Sequence, residues 1–562
     1  MVRGALAFCL LFAALLALHA PLLRLPYIWD EAGYYVPAAH DIFVSGSLIP
    51  QSTVSNAHPP LVLVWVTLWW RLLGYAPWVA RGAMLAVAAF TLLGVYRLAE
   101  RANNAAVAVG TTLLTALYPV FFAQSSLVHL DLAAAGFTFW ALRAYLDDRR
   151  FATFIWFGLA ALAKETAILA PVALAGWELA GSAAFRKNNK LLLFPQRNLG
   201  RLAALAASVL PLVLWFAYHY SRTGFVFGNP EFFRYNVQAT ANPLRIVLAL
   251  GTRLWQSFVY MGLWALTILT IFAMTLPARS SGDGEERPRI AIPIQITFAV
   301  VIMAYVVALS FIGGAVLSRY MLPVVPLVIL IGVSTLWRRL GLWKPLLAGL
   351  AALFIAEWFW NPLYSFPFED NLAYRDYVQL HQEGASYLEA HFAQSRVLTA
   401  WTASDELNRP WLGYVHQPMQ IVRIENFSAE EIQKVAEENR LRNSPTPWDV
   451  VLAFSTKYEP AFDITDRPPW SGFKTRFFGY HHDLSPEAIA QILGGRIVML
   501  ERRRGQWIAV IAMEAPVDAK AHPPDGTDPS TSSGVRPPRA HTTTAPARYS
   551  YGNKHPTARG DG

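Results

Sequence analysis

The chain has 562 residues, 54% of them hydrophobic and only 15% charged, with a formal net charge of +9. Ordinary soluble domains carry about 25% charged residues, so this chain cannot be one soluble core. The positive balance does not indicate nucleic acid, because the basic residues fall in short clusters between apolar runs, where they orient a membrane chain.

Met1 to Ala20 combines Arg3, an apolar stretch and Ala17-Leu18-His19-Ala20, the marks of a cleavable signal peptide. Pro21 directly after that pattern, and apolar character as far as Leu25, favour a retained first helix. The single cysteine, Cys9, lies inside this run, which rules out an intramolecular disulfide and any zinc cluster built from thiolates. Trp29-Asp30-Glu31 follows, where the helix would leave a bilayer. A charge at membrane depth costs about 2.5–3.5 kcal/mol, so two adjacent carboxylates here belong to water or to a functional cavity.

Glu31 to Ser45 places Tyr34, Tyr35, Ala38, Ile42 and Phe43 close to a helical repeat, and Leu61 to Leu73 is short and carries Trp65, Trp69 and Trp70. Both are predicted to be interfacial helices framing an outward cavity. Eight later runs are long enough to cross about 30 Å of hydrocarbon. They are Trp78 to Ala99, Ala105 to Phe122, Leu127 to Leu146, Leu202 to Tyr220, Leu254 to Leu276, Ile290 to Phe311, Tyr320 to Trp337 and Pro345 to Trp360. Phe151 to Ala180 is too long for one span, with Lys164 and Glu165 at its middle, and is predicted to be a hairpin of two short helices. With the first helix this gives about eleven spans.

Five basic clusters orient the bundle: Arg97 and Arg101; Arg143, Arg149 and Arg150; Arg186, Lys187, Lys190, Arg197 and Arg201; Arg279, Arg287 and Arg289; Arg338, Arg339 and Lys344. All fall on the cytoplasmic side if the N-terminus is inside and the C-terminal region outside. The predicted location is a multi-pass inner (plasma) membrane protein. Asp30, Glu31, His58, Asp131, Lys164, Glu165, Arg319 and Tyr320 then collect on the opposite face.

The order of these motifs resembles the GT-C membrane glycosyltransferases. It comprises an acidic pair after helix 1, His58-Pro59-Pro60-Leu61, Asp131 opening a helix after the Pro119 turn, Leu162-Ala163-Lys164-Glu165-Thr166 in an apolar hairpin, and Ser318-Arg319-Tyr320-Met321-Leu322-Pro323 near the last spans. The nearest likeness is to the bacterial branch similar to dolichyl-phosphate-mannose protein mannosyltransferases and lipid A aminoarabinose transferases, over about residues 1–361. The resemblance implies transfer of a sugar from a polyprenyl-phosphate carrier to an acceptor hydroxyl or phosphate on the outer face, whether of a glycolipid, glycan or protein. Such transfer needs a base for the acceptor hydroxyl and cations for the departing phosphate. It implies Asp30 as the base with Glu31 assisting, and one displacement that inverts the anomeric centre. Arg319, whose guanidinium suits bidentate phosphate contact, Tyr320, Lys164 and His58 are the candidate donor-phosphate ligands. Asp131 and Glu165 are candidates for positioning the acceptor, and a divalent metal at Asp131 or His58 stays open.

Taken singly, each residue has a plainer reading. Adjacent acids at a helix exit are often only hydrated, and Lys164-Glu165 suits a structural ion pair. Asp131 suits a helix cap, and His58 a side chain snorkelling at the interface. A transporter or lipid flippase also gathers charge inside a bundle, and a noncatalytic assembly protein of the cell envelope is a third alternative.

Beyond Asn361 the composition changes. Asp370 to Phe392 is predicted to be an amphipathic helix, Arg396 to Trp401 and Asp449 to Phe454 strands, and Ser428 with Glu431 a capping box. Arg496 to Glu501 and Gln506 to Met513 are predicted to form a hairpin. The expected organisation is an all-α polytopic membrane bundle over 1–361, a small extracytoplasmic α/β domain over 362–515, and a disordered low-complexity tail over 516–562.

Overall fold

The computed structural model describes residues 2–187, 198–238, 240–280, 284–441, 447–458, 460 and 463–513. The predicted tail, together with Lys190 and Arg197, lies outside them. Residues Met1–Ala515 pack as one compact unit, mostly helical, with one five-stranded sheet near the C-terminal end.

The predicted spans are present as helices, several of them broken for identifiable reasons. Ala105–Leu117 stops at Tyr118 because Pro119 drives its predecessor out of the helical region, and a short helix, Pro119–Gln124, restarts behind it. The hairpin forms as Arg150–Ala163 and Leu169–Lys187, separated by extended Lys164 and a 3₁₀ turn at Glu165–Ile168. The expected continuous run from Leu254 to Leu276 is instead two helices, Pro243–Phe258 and Leu263–Met274, bent by 77°. Gly262 makes the corner: its φ of +79° is left-handed, and a Cβ there would lie 2.8 Å from the Phe354 ring.

Among the described residues, four helices are by themselves long and apolar enough to cross a membrane: Gly4–Leu22, Pro77–Ala102, Leu199–Thr223 and Ile292–Phe311. The bent pair makes a fifth if counted as one span. Leu61–Leu73, Ala105–Leu117 and Arg150–Ala163 are apolar but shorter. The two segments predicted to be interfacial are helical: a π-helical turn, Glu31–Tyr35, runs into Val36–Ser45, and Leu61–Leu73 is a single helix.

The sheet has strand order β2-β1-β3-β5-β4, with β1 Arg396–Ala400, β2 Gln420–Ile424, β3 Val450–Phe454, β4 Gly495–Arg503 and β5 Gln506–Met513. The first three strands are parallel, and β3, β5 and β4 pair antiparallel. β2 escaped the sequence reading because Gln420 and Arg423 interrupt its apolar pattern. Ser428 caps Ala429–Leu441 by accepting from Glu431 N, but the Glu431 carboxylate receives Glu425 N rather than closing a reciprocal box.

This layer rests on the loops that carry the acidic pair. Tyr414 donates to the Tyr27 carbonyl at 3.0 Å, Tyr75 to the Trp411 carbonyl at 2.9 Å, and Arg409 to the Ser52 carbonyl at 2.7 Å.

Candidate active site

Arg319 is the centre of the polar cluster. It lies in a 3₁₀ turn, Ser318–Met321, and is 1% exposed. One terminal nitrogen donates to Asp30 and the other to Glu369, while Nε lies 3.4 Å from Asp131. A guanidinium buried among three carboxylates satisfies the rule that an interior charge must be paired. Both terminal nitrogens are thus engaged by protein carboxylates, while Nε has no hydrogen-bond partner among the described residues.

Asp131 bridges Arg319 to Lys164, whose ammonium lies 2.5 Å from Asp131 Oδ1. Asp131 stands in the first turn of Asp131–Leu146, where helix N-termini favour negative charge. The plain capping reading does not describe it, since its side chain makes no cap bond and points at cations. Among the described residues no group of three or more His, Cys, Asp or Glu side chains is placed to hold a metal. Asp131, occupied by two cations, does not fit a metal ligand.

The remaining predicted residues divide into two groups. Tyr320 is brought into the cluster, with Lys164 Nζ 3.9 Å from the centre of its ring. Glu31 and the pair His58–Glu165 are not. Glu31 is fully buried and turned away from Asp30. It accepts from the amides of Ile28 at 3.1 Å and Val128 at 2.6 Å and pairs with the equally buried Arg81 at 3.4 Å. That arrangement ties Glu31 to the loop behind Asp30. His58 Nδ1 donates to Glu165 at 2.9 Å, which makes Glu165 the partner of His58 rather than of Lys164.

Three participants were not expected from the sequence. Glu369 and Asp370 lie in the loop after Trp343–Phe359 and grip the same turn, Glu369 through Arg319 and Asp370 by accepting from Ser318 at 2.5 Å, while Tyr260, at the corner of the bent helix pair, also donates to Asp370 at 2.6 Å. Burial pushes the Glu369 carboxyl up to about 8, against the pull of Arg319. Phe368-Glu369-Asp370 repeats the signal of Trp29-Asp30-Glu31, an aromatic followed by two acids just after an apolar helix. Arg253 is the third, 0% exposed on Pro243–Phe258 with its guanidinium 5.5 Å from the Tyr320 ring. It donates to the Leu317 carbonyl at 2.7 Å and to Gln256 at 2.9 Å, and its Nη2 has no hydrogen-bond partner among the described residues.

Access separates the acids. The Asp30 side chain is 27% exposed, against 3% for Asp131 and 6% for Glu369. The arrangement is one open carboxylate held by a buried arginine, beside a group of cations around one tyrosine ring.

Residues 57–215 match the family model described as dolichyl-phosphate-mannose-protein mannosyltransferase, a stretch that contains His58, Asp131, Lys164 and Glu165. The chain resembles the GT-C class of membrane glycosyltransferases. Among solved structures it is similar to ArnT from Cupriavidus metallidurans bound to undecaprenyl phosphate, at 14% identity, 91% coverage of this chain, 97% of that chain and a TM-score of 0.49. The apo form of the same protein matches at 16% identity, 90% and 98% coverage and a TM-score of 0.48. The Archaeoglobus fulgidus oligosaccharyltransferase in its apo form matches at 12% identity, 80% and 69% coverage and a TM-score of 0.43. A comparison with the curated proteins finds no match.

Proposed function

We propose that this protein is an integral-membrane inverting glycosyltransferase that takes a sugar from a polyprenyl-phosphate carrier, with Asp30 as general base. The observation that carries the reading is that, of the three carboxylates gathered on Arg319, Asp30 alone is open to an incoming molecule. The acceptor hydroxyl gives its proton to Asp30, its oxygen forms a bond to the anomeric carbon, and the bond from that carbon to the carrier phosphate breaks. The phosphate leaves with the electron pair. Lys164 and Arg253, grouped on the Tyr320 ring, are assigned to that charge, and His58, outside the cluster, has its ring centre 5.8 Å from that of Tyr35. Arg319 and Glu31 are positioning residues in this scheme, Arg319 for Asp30 and Glu31 for the loop that precedes it.

Mass spectrometry of lipids and glycoproteins from a deletion strain tests the reading. It should show an unglycosylated acceptor that accumulates and disappears on complementation; an unchanged glycan and lipid profile would defeat it. The proposed domain plan, 1–361 catalytic and 362–515 extracytoplasmic, is tested by reporter fusions. Ser45 and Gly505 should report the outer side and Asn188 the cytoplasm; Ser45 and Gly505 on opposite sides would refute it.

Glu369 gives the site a pH dependence. While it is protonated, Arg319, Lys164 and Arg253 balance Asp30, Asp131 and Asp370; when it ionises the cluster gains one negative charge and opposes a phosphate. Undecaprenyl phosphate binding should therefore weaken as pH rises through about 8. Glu369→Gln should flatten that limb, as measured by titration of the reconstituted protein between pH 6.5 and about 9.

A further inference from the structure

The sheet presents one residue to the loop that carries Asp30. In an open sheet, ligands gather beyond the carboxyl ends of parallel strands, where the strand order reverses. Here the chain passes from β1 to β2 on one side and then to β3 on the other, so the reversal falls at β1 and β3. β1 ends at Ala400, and Trp401 follows directly.

Trp401 does not stand free. Its indole lies on Gly33, where a Cβ would come within 2.8 Å of the ring, so glycine three residues after Asp30 is what lets the two segments meet. Trp29 packs against it edge-on at 5.2 Å, and the Tyr34 ring lies 5.9 Å away. All three rings are partly exposed, as is Asp30.

The backbone beneath this shelf is fixed by a buried network. Thr402 donates to Glu406 at 2.6 Å, Glu406 meets His381 Nδ1 at 2.5 Å, and the Tyr377 and Thr402 hydroxyls lie 3.1 Å apart. None of these four is more than 2% exposed. Binding groups held by a second layer of hydrogen bonds are preorganised.

We propose that Trp401, with Trp29 and Tyr34, is the acceptor platform of the reaction assigned above, on which this inference rests, and that the acceptor presents a sugar ring. The face of a pyranose carries C–H bonds polarised by the ring oxygens, and it matches the negative face of an indole. A sugar lying on Trp401 directs an edge hydroxyl at Asp30, whereas a serine or threonine side chain has no comparable face to stack. Trp401 is a specificity-determining residue in this scheme, and the outer α/β layer is part of the substrate site.

Saturation-transfer NMR on the full chain in phosphatidylcholine nanodiscs tests this. The probes are methyl α-D-mannopyranoside, methyl β-D-glucopyranoside, methyl N-acetyl-β-D-glucosaminide, an acetyl-Ala-Thr-Ala amide peptide and glycerol phosphate. At least one glycoside should receive saturation at its ring protons. The effect should fall by about five- to tenfold in Trp401→Ala and return in large part in Trp401→Phe, the span one aromatic contact is worth. Should Trp401→Ala fail to fold, Gly33→Ala, which keeps the indole and pushes it from its seat, carries the same expectation. Saturation of the peptide or glycerol phosphate alone, or glycoside saturation indifferent to Trp401 and Gly33, overturns the platform. Undecaprenyl phosphate binding, measured alongside, separates the two readings. Protein that binds undecaprenyl phosphate but no glycoside overturns the platform alone; protein that holds a glycoside on Trp401 but no undecaprenyl phosphate supports the platform and overturns the donor assignment.

Discussion

Replacing Asp30 with asparagine should reduce sugar transfer by about 10²–10⁴-fold, the usual worth of a positioned general base, while leaving the protein folded and in the membrane. Asparagine keeps the volume of the side chain and one oxygen to accept from Arg319, so the contact that anchors position 30 survives in weakened form. What it loses is the ability to take a proton. Complementation of a deletion strain by Asp30→Asn, read by mass spectrometry of the acceptor pool, measures the first effect, and undecaprenyl phosphate binding by purified protein measures the second. Glycosylation restored to the wild-type level would remove Asp30 from the mechanism. Loss of both transfer and carrier binding would recast it as part of the phosphate site. Glu31→Gln is the informative contrast. Glu31 is sealed against Arg81, so its loss should show as lower expression or thermal stability rather than as a selective defect in turnover.

The hydrophobic runs made most of the helices legible, because their length and the break at Lys164 are local properties of the chain. The bend at Gly262 was not legible, because it depends on Phe354 arriving from another helix. In the site, Asp30, Asp131, Lys164, Arg319 and Tyr320 were readable as charged or aromatic residues that have no cheap place in a bilayer. Which carboxylate faced which cation was not readable. Adjacent side chains on a tight turn point in different directions, so Asp30 meets Arg319 whereas its neighbour Glu31 meets Arg81. Glu369, Asp370 and Arg253 were missed for different reasons. The two acids sit where the composition turns polar and their signal merges with that of a soluble segment. Arg253 lies within an amphipathic helix, where one arginine usually means only a solvated face. Trp401 follows a strand, and no local pattern shows that its ring reaches Gly33.

Arg319 should prove harder to remove than Asp30. Arg319→Met leaves Asp30, Asp131 and Glu369 without the cation they share, and breaking a buried pair from one side costs about 3–5 kcal/mol because the remaining charge is stranded. The variant is therefore expected to lose a large part of its thermal stability as well as transfer. Arg319→Lys should be only a partial remedy, since an ammonium cannot hold Asp30 and Glu369 on the two arms of a fork. The decisive comparison adds Glu369→Gln to Arg319→Met. Burial already pushes the Glu369 carboxyl up toward protonation, and without Arg319 nothing pulls it back, so the double variant should melt close to Arg319→Met and stay inactive, because Asp30 still has no anchor. A melting curve of the detergent-solubilised protein and a transfer assay on the same samples separate the outcomes. If Arg319→Met melts like the wild type, the three carboxylates do not depend on that charge. If the double variant regains transfer, Arg319 does not position Asp30, and the organising role assigned to it fails.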